Sequence, residues 1–291
     1  MPSNVLSIMA RARGNSYLAR AIGEITDYVQ AVALREKALK RQQALPAVQW
    51  PSQPVSVEDD VDMFLSGVAA AVADERTREA QALALANVVR SCNSVIEQTL
   101  TVHADRILKS LHTDMRQLFT DVDEVVGLLR GARNAEQAIT AGTADAWAQL
   151  PPLRKSYDEI RQAQAVVMAE TDYPALSRTH YCDEPLASDL MLRNLDTIWP
   201  DWRQPPPSLI MLSGSPPDRW PWPNQPIPQL IWLSVSDAEP WVPTQRKLDS
   251  LFAERQARLN PPPKKTPTGP VPRQTSGPDA HHRVIKRVTA I

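Results

Sequence analysis

The sequence predicts a mainly α-helical protein: long coiled-coil-like helices and a helical bundle, followed by an irregular Trp/Pro-rich C-terminal region and an extended basic tail. Three observations carry that prediction. No proline falls between Pro54 and Pro151, and proline, which lacks a backbone donor and clashes with the preceding turn, is what most often breaks a helix. Apolar residues in and before that stretch recur at steps of three and four. Beyond Trp199 the pattern stops. Six of the eight tryptophans lie within residues 199–241, twelve prolines lie within 200–243, and seven more lie within 261–278. The chain therefore reads as an N-terminal amphipathic helix (1–45), a proline linker (46–56) and a long-helix bundle domain (57–198). A Trp/Pro-rich segment with a closing helix (199–260) and a Pro-rich basic tail (261–291) complete it.

The first helix is expected over about Ser16 to Leu45. Leu18, Ile22, Ile25, Val29, Val32 and Leu39 mark its seam, with Glu36 in the remaining position. Steps of alternating four and three keep one seam facing a neighbour and favour a left-handed supercoil. The neighbour is either a second chain or the protein's own body, and Gly23 weakens the helix by about 1 kcal/mol under either reading. Residues 46–55, with Pro46, Pro51 and Pro54 around Trp50, read as an extended connector. Ser56, followed by Glu58, Asp59 and Asp60, reads as a helix start, because acidic groups near the first turn suit the helix dipole.

The next helical pattern continues for some 70 residues, to Gly127 or Gly131. Its seam runs Leu85, Val89, Cys92, Ile96, Leu100, His103, Ile107, Leu111, Met115, Leu118, Val122, Val125, Leu129, twelve steps over 44 residues. The mean step of 3.67 is the eleven-residue repeat, which suits a nearly straight helix. A break near Asp74 to Arg78 or near His112 would give an antiparallel hairpin instead. Shorter helices follow at about Ala135 to Leu150, Pro152 to Glu170 and Pro185 to Ile198, the middle one with Leu153, Tyr157, Ile160, Ala163 and Val167 on one face. Ser208 to Leu212 and Gln229 to Val235 are short apolar runs, strands or single helical turns. A final helix is expected from a Thr244 cap to Asn260.

Composition removes several function classes. The 32 basic and 33 acidic residues leave a net charge of −1, so no global field draws the chain to nucleic acid or to an anionic membrane. Neither a signal-peptide core at the N-terminus nor an 18-residue apolar run is present, so a soluble, unexported protein with no membrane partner is expected. The two cysteines, Cys92 and Cys182, read as reduced thiols. Nine scattered glycines provide no phosphate loop and no dinucleotide fingerprint. His180, Cys182, Asp183 and Glu184 form the most ligand-like cluster, but no second half completes a zinc site. Leu212-Ser-Gly-Ser does not make a nucleophile elbow, and Asp121, Asp123 and Glu124 read as a solvated helix face. No enzyme, metal or cofactor is expected.

The remaining candidates are contact surfaces. Leu18, Ile22, Ile25 and Val29 mark a helical seam. Trp220, Trp222, Trp232 and Trp241 form either a flat aromatic binding face or a clamp that holds an irregular segment on the helices. The tail carries Lys264, Lys265, Arg283 and Arg287 and a net charge of +5. It suits docking on a neighbouring subunit, its last residues alternating like an added strand, or contact with phosphates. Docking is preferred.

The run Leu150-Pro-Pro-Leu-Arg-Lys-Ser-Tyr-Asp-Glu-Ile-Arg-Gln-Ala-Gln, with Pro221-Trp-Pro and Glu239-Pro-Trp-Val-Pro-Thr further on, resembles proteins of unassigned role encoded by actinobacterial phages and prophages, often among virion assembly genes. The resemblance covers about a third of the chain and carries over no functional residue, though the excess of Arg over Lys and the abundance of Ala agree with a GC-rich source. It implies a non-enzymatic structural protein of a phage particle, a minor capsid, connector or assembly component. Such a protein would be found in the virion, or in the host cytoplasm before assembly, as a homo-oligomer docked on other virion proteins. The alternatives are a nucleic-acid-binding accessory protein using the tail and Arg11, Arg13 and Arg20, and a metal enzyme built around His180 and Cys182.

Overall fold

Asn15 sets the first corner of the chain. Its side chain accepts from the Leu18 backbone N–H at 2.9 Å, ending α1 (Asn4–Gly14) and capping α2 (Ser16–Gly23), while its amide donates to the carbonyl of Glu159 at 2.7 Å. A cap residue that is itself buried thus fixes both where a helix begins and what it lies against. The computed structural model describes residues 4–55, 60–171, 186–200 and 220–259, which are mainly α-helical. The chain divides into two compact units, Met1–Leu251 and Phe252–Ile291.

The expected first helix is two helices. α2 ends at Gly23 and α3 (Thr26–Gln43) starts after Ile25, whose backbone is extended. The break lets the seam change partner: α2 packs on α5 and α8, whereas α3 packs along α4. Residues 44–55 form the irregular connector that the prolines predict, and Pro51 lies against Gly67, where an added Cβ would sit 3.3 Å from the Pro51 Cβ. Ser56 lies outside the described residues. Asp60 caps the next helix, accepting from the N–H groups of Asp62 and Met63, both at 3.0 Å.

The long pattern is also divided, at neither expected place. α4 (Val61–Val102) and α5 (Ala104–Leu128) meet at His103, whose φ of −107° and ψ of 15° leave the helical region. The β-branched run Thr99, Thr101 and Val102 stiffens the turn before the break. The seam survives it: from Cys92 to Leu129 every position is buried except His103, which is half-buried. The two helices are not the arms of one hairpin, because α4 has α3 as its chief neighbour and α5 has α8.

α6 (Ala135–Thr140) and α7 (Ala144–Ala148) replace one expected helix, separated at Gly142, whose φ of +68° lies in the left-handed region that favours glycine. α8 (Leu150–Glu170) follows with its prolines in the first turn and Tyr157, Ile160, Ala163 and Val167 buried, as the sequence predicts. The helix expected over Pro185 to Ile198 shrinks to α9 (Leu195–Ile198), with residues 186–194 in turns. Gln229 to Val235 belong to α10 (Pro226–Val235). Ser208 to Leu212 lie outside the described residues. α11 (Gln245–Leu259) starts behind Thr244, whose hydroxyl accepts from the Lys247 N–H at 3.4 Å. An isolated bridge between Leu192 and Pro240 is the β pairing among the described residues.

Within Met1–Leu251 the result is a body and an arm. The body gathers α2, α5, α7, α8 and α10 around Ile107, Leu111, Met115, Leu150 and Ile160. The arm is α3 against α4, antiparallel: Glu24 meets Arg106 and Arg35 meets Asn93, and beyond α3 the connector brings Pro51 to Gly67. Met9, Ala31, Cys92 and Ile96 close its root, with Tyr28, Val32 and Val88 packed around them. Burial there raises the Tyr28 phenol above its ordinary value, against the opposing influence of Arg13.

Candidate interaction surface

Two features of the body hold residues 220–243, the described middle of the Trp/Pro-rich segment, against the helices. The first is Arg161, nearly buried on the inner face of α8. Its guanidinium donates to the carbonyl oxygens of Trp241 at 2.7 Å, Met191 at 3.0 Å and Leu190 at 3.4 Å, and to Gln164 Oε1 at 2.8 Å. Gln164 in turn donates to the Leu190 carbonyl at 3.0 Å, and Trp241 Nε1 donates to the Asp189 carbonyl at 2.8 Å. A buried cation needs acceptors around it, and both terminal nitrogens of Arg161 have them, whereas its Nε is buried with no hydrogen-bond partner among the described residues. The guanidinium also lies 5.0 Å above the Tyr157 ring. The carbonyls of Leu190 and Met191 reach Arg161 from the turns that stand where a helix over 185–198 was expected.

The second is an aromatic cluster. Trp222 meets Trp199 edge-on at 5.6 Å and Trp232 at 5.7 Å. Trp222 and Trp241 are buried, while Trp220 and Trp232 are half-buried. Of the two readings of the tryptophans, the described rings fit the clamp. Trp202 and the tail residues Lys264, Lys265, Arg283 and Arg287 lie outside the described residues, as do His180, Cys182, Asp183 and Glu184.

The seam residues of the first helix are taken up internally. Leu18 and Ile22 are 0% exposed and Ile25 is 1% exposed, so they form core rather than an interface, and only Val29, at 47%, stays open. The seven-residue spacing was right for a seam and silent about which surface fills it. Two of the three N-terminal arginines are also engaged: Arg11 with Glu170 at 2.9 Å, and Arg20 with Asp114. The Arg20–Asp114 pair lines a shallow cleft of about 540 Å³ with Glu24, Arg106, Lys109, Ser110 and Thr113. Burial raises the Asp114 carboxyl and Arg20 opposes that shift. Arg20 thus meets one oxygen of Asp114, while Oδ2 is buried with no hydrogen-bond partner among the described residues.

Elsewhere, His112 accepts the Val242 N–H on Nδ1 at 3.3 Å, and burial together with Lys247, Arg116, Arg161 and Arg193 lowers its pKa to about 4. It is therefore a neutral acceptor at physiological pH, tying α5 to the segment before α11. Among the described residues no group of three or more His, Cys, Asp or Glu is placed to hold a metal ion, and no helix is long and apolar enough to cross a membrane.

What remains open is the first half of α4. The 18 residues of α3 cover the second half, and Pro51 of the connector lies against Gly67. Leu65 at 57%, Met63 at 69% and Leu83 at 62% stay exposed, with Trp50 and Val55 exposed on the connector. Large apolar side chains gathered on one projecting element commonly mark a contact surface. Reading the sequence for one seam per helix missed this face, and it also missed Arg161. The signals were present: Leu65, Ala69, Val72, Leu83 and Ala86 at four-and-three spacing with Arg76 and Glu79 between them, and a charged residue on an otherwise apolar face beside Tyr157 and Ile160. No protein-family model matches the chain, and comparison with curated proteins and with solved structures finds no match.

Proposed function

We propose that the chain is a non-enzymatic structural protein that self-associates and docks on partners through its helices, a component of a bacteriophage virion such as a minor capsid, connector or assembly protein. The observation that carries the interaction role is the arm, a long antiparallel helix pair whose first half leaves large apolar side chains exposed. A protein acting alone gains nothing from such a surface, and exposed apolar area of this kind favours association. The body supports the same reading, because its most perturbed groups, His112 and Asp114, are tied to a backbone N–H and to Arg20 respectively. The phage setting rests on the resemblance of residues 150–164 and of the Trp/Pro motifs to virion-region proteins.

The test is quantitative mass spectrometry of purified phage particles from a host carrying the gene. The expected result is the chain at a fixed copy number per particle, retained through a density gradient and a high-salt wash. Absence from particles at every stage of assembly would defeat the virion reading.

A further inference from the structure

Along the open face of α4, Leu65, Ala69, Val72, Arg76, Glu79, Leu83, Ala86 and Arg90 follow one another at steps of four and three without a break. This is the seven-residue repeat of a helix that faces another helix. It lies nearly half a turn away from Gly67, which meets Pro51 of the connector. Leu65, Ala69, Arg76, Glu79, Leu83 and Arg90 are exposed, and Val72 and Ala86 are half-buried. Arg78 pairs with Glu75 at 3.3 Å along the helix, whereas Arg76 and Glu79, in the middle of the stripe, have no ion-pair partner among the described residues.

We infer that this stripe is a homodimer interface in which the α4 helices of two copies pack antiparallel about a two-fold axis beside Thr77 and Arg78. The charges choose the arrangement. With the axis there, Arg76 of each copy faces Glu79 of the other, Val72 faces Leu83, Ala69 faces Ala86, and the aliphatic stem of Arg90 covers Leu65. Every position meets a suitable partner twice, as an isologous interface requires. A slide of one heptad would set Arg76 against Val72 and Glu79 against Ala69. A parallel pairing would bring Arg76 against Arg76 and Glu79 against Glu79. Both leave charge unmatched in an apolar seam, so the pattern favours one register over its neighbours. The small residues Ala69, Ala73, Ala80 and Ala86 allow close approach, and the stripe from Leu65 to Arg90 extends about 39 Å at 1.5 Å per residue. The inference rests on the self-associating role proposed above and names the surface responsible.

The test is sedimentation equilibrium of the full-length chain and its variants. The wild type is expected to be a dimer. Arg76→Glu alone sets two carboxylates against each other and Glu79→Arg alone two guanidiniums, so each should weaken dimerisation at least tenfold, as like charges across an interface do. The double variant R76E/E79R restores opposite charges and should recover dimerisation to near the wild-type level, while Leu83→Glu should abolish it. Circular dichroism confirms that all four variants keep their helix content, as expected for exposed positions. A monomeric wild type overturns the inference and leaves the stripe to a helix of a different protein. A dimer insensitive to Leu83→Glu and to both single reversals overturns it too, placing self-association on another surface while the proposed function stands. Failure of the double variant to recover overturns the antiparallel register.

Discussion

Lowering the pH from 7 to 5 should destabilise this protein through His112, and the effect can be isolated. Its Nδ1 accepts the Val242 N–H, and its pKa falls from 6.5 to about 4 chiefly because of burial, with Lys247, Arg116, Arg161 and Arg193 adding to it. The folded state thus resists a proton that the unfolded state accepts. A group whose folded pKa is lowered in this way gives full stability above pH 6.5 and loses it as the pH falls toward 4. At 1.36 kcal/mol per unit, linkage between pH 7 and pH 5 amounts to about 2 kcal/mol. The ring is only half-buried, so solvent screening reduces this to ~1 kcal/mol. His112→Asn is the control, since its amide oxygen can accept the same N–H without titrating. Urea unfolding followed by circular dichroism at pH 7, 6 and 5 gives the difference in stability between wild type and variant. That difference should shift by ~1 kcal/mol in favour of the variant as the pH falls. A difference that stays constant from pH 7 to pH 5 would refute the reasoning, because the contributions of the other histidines and of the carboxylates cancel in the subtraction.

Arg161→Met should destabilise the chain by ~3 kcal/mol, as the carbonyls of Leu190, Met191 and Trp241 lose their shared donor at roughly 1 kcal/mol each. A red shift in tryptophan emission should accompany the loss in urea unfolding, and a loss under 1 kcal/mol would mean that the guanidinium is not what holds the segment. The glycines should divide by backbone geometry in thermal melts. Gly142→Ala, at φ +68°, should cost about 1 kcal/mol, whereas Gly127→Ala, in a helix with nothing within 4 Å, should stabilise by roughly 0.5 kcal/mol. Equal effects at the two positions would contradict the backbone assigned to Gly142.

The helical class, the proline connector, the buried seam from Cys92 to Leu129 and the inner face of α8 are all written in the sequence, because each is a local periodicity that a helix turns directly into a face. Corners and partners are not local properties. The breaks at Ile25 and His103 depend on which neighbour each helix segment meets, and Gly23 or Thr99 alone does not reveal that. Where a helix over 185–198 was expected, turns present the carbonyls of Leu190 and Met191 to Arg161, a partner far away in sequence. The same limit governs the candidate surface. The sequence marked Leu18, Ile22 and Ile25 as a seam that needed a partner, and the fold supplied one from its own body. On α4, Leu65, Val72 and Leu83 share a stripe of the same spacing with Arg76 and Glu79, and the fold leaves most of it exposed. Spacing determines that a face exists; only the tertiary arrangement decides whether that face is already covered, because coverage depends on residues that periodicity along one helix does not see.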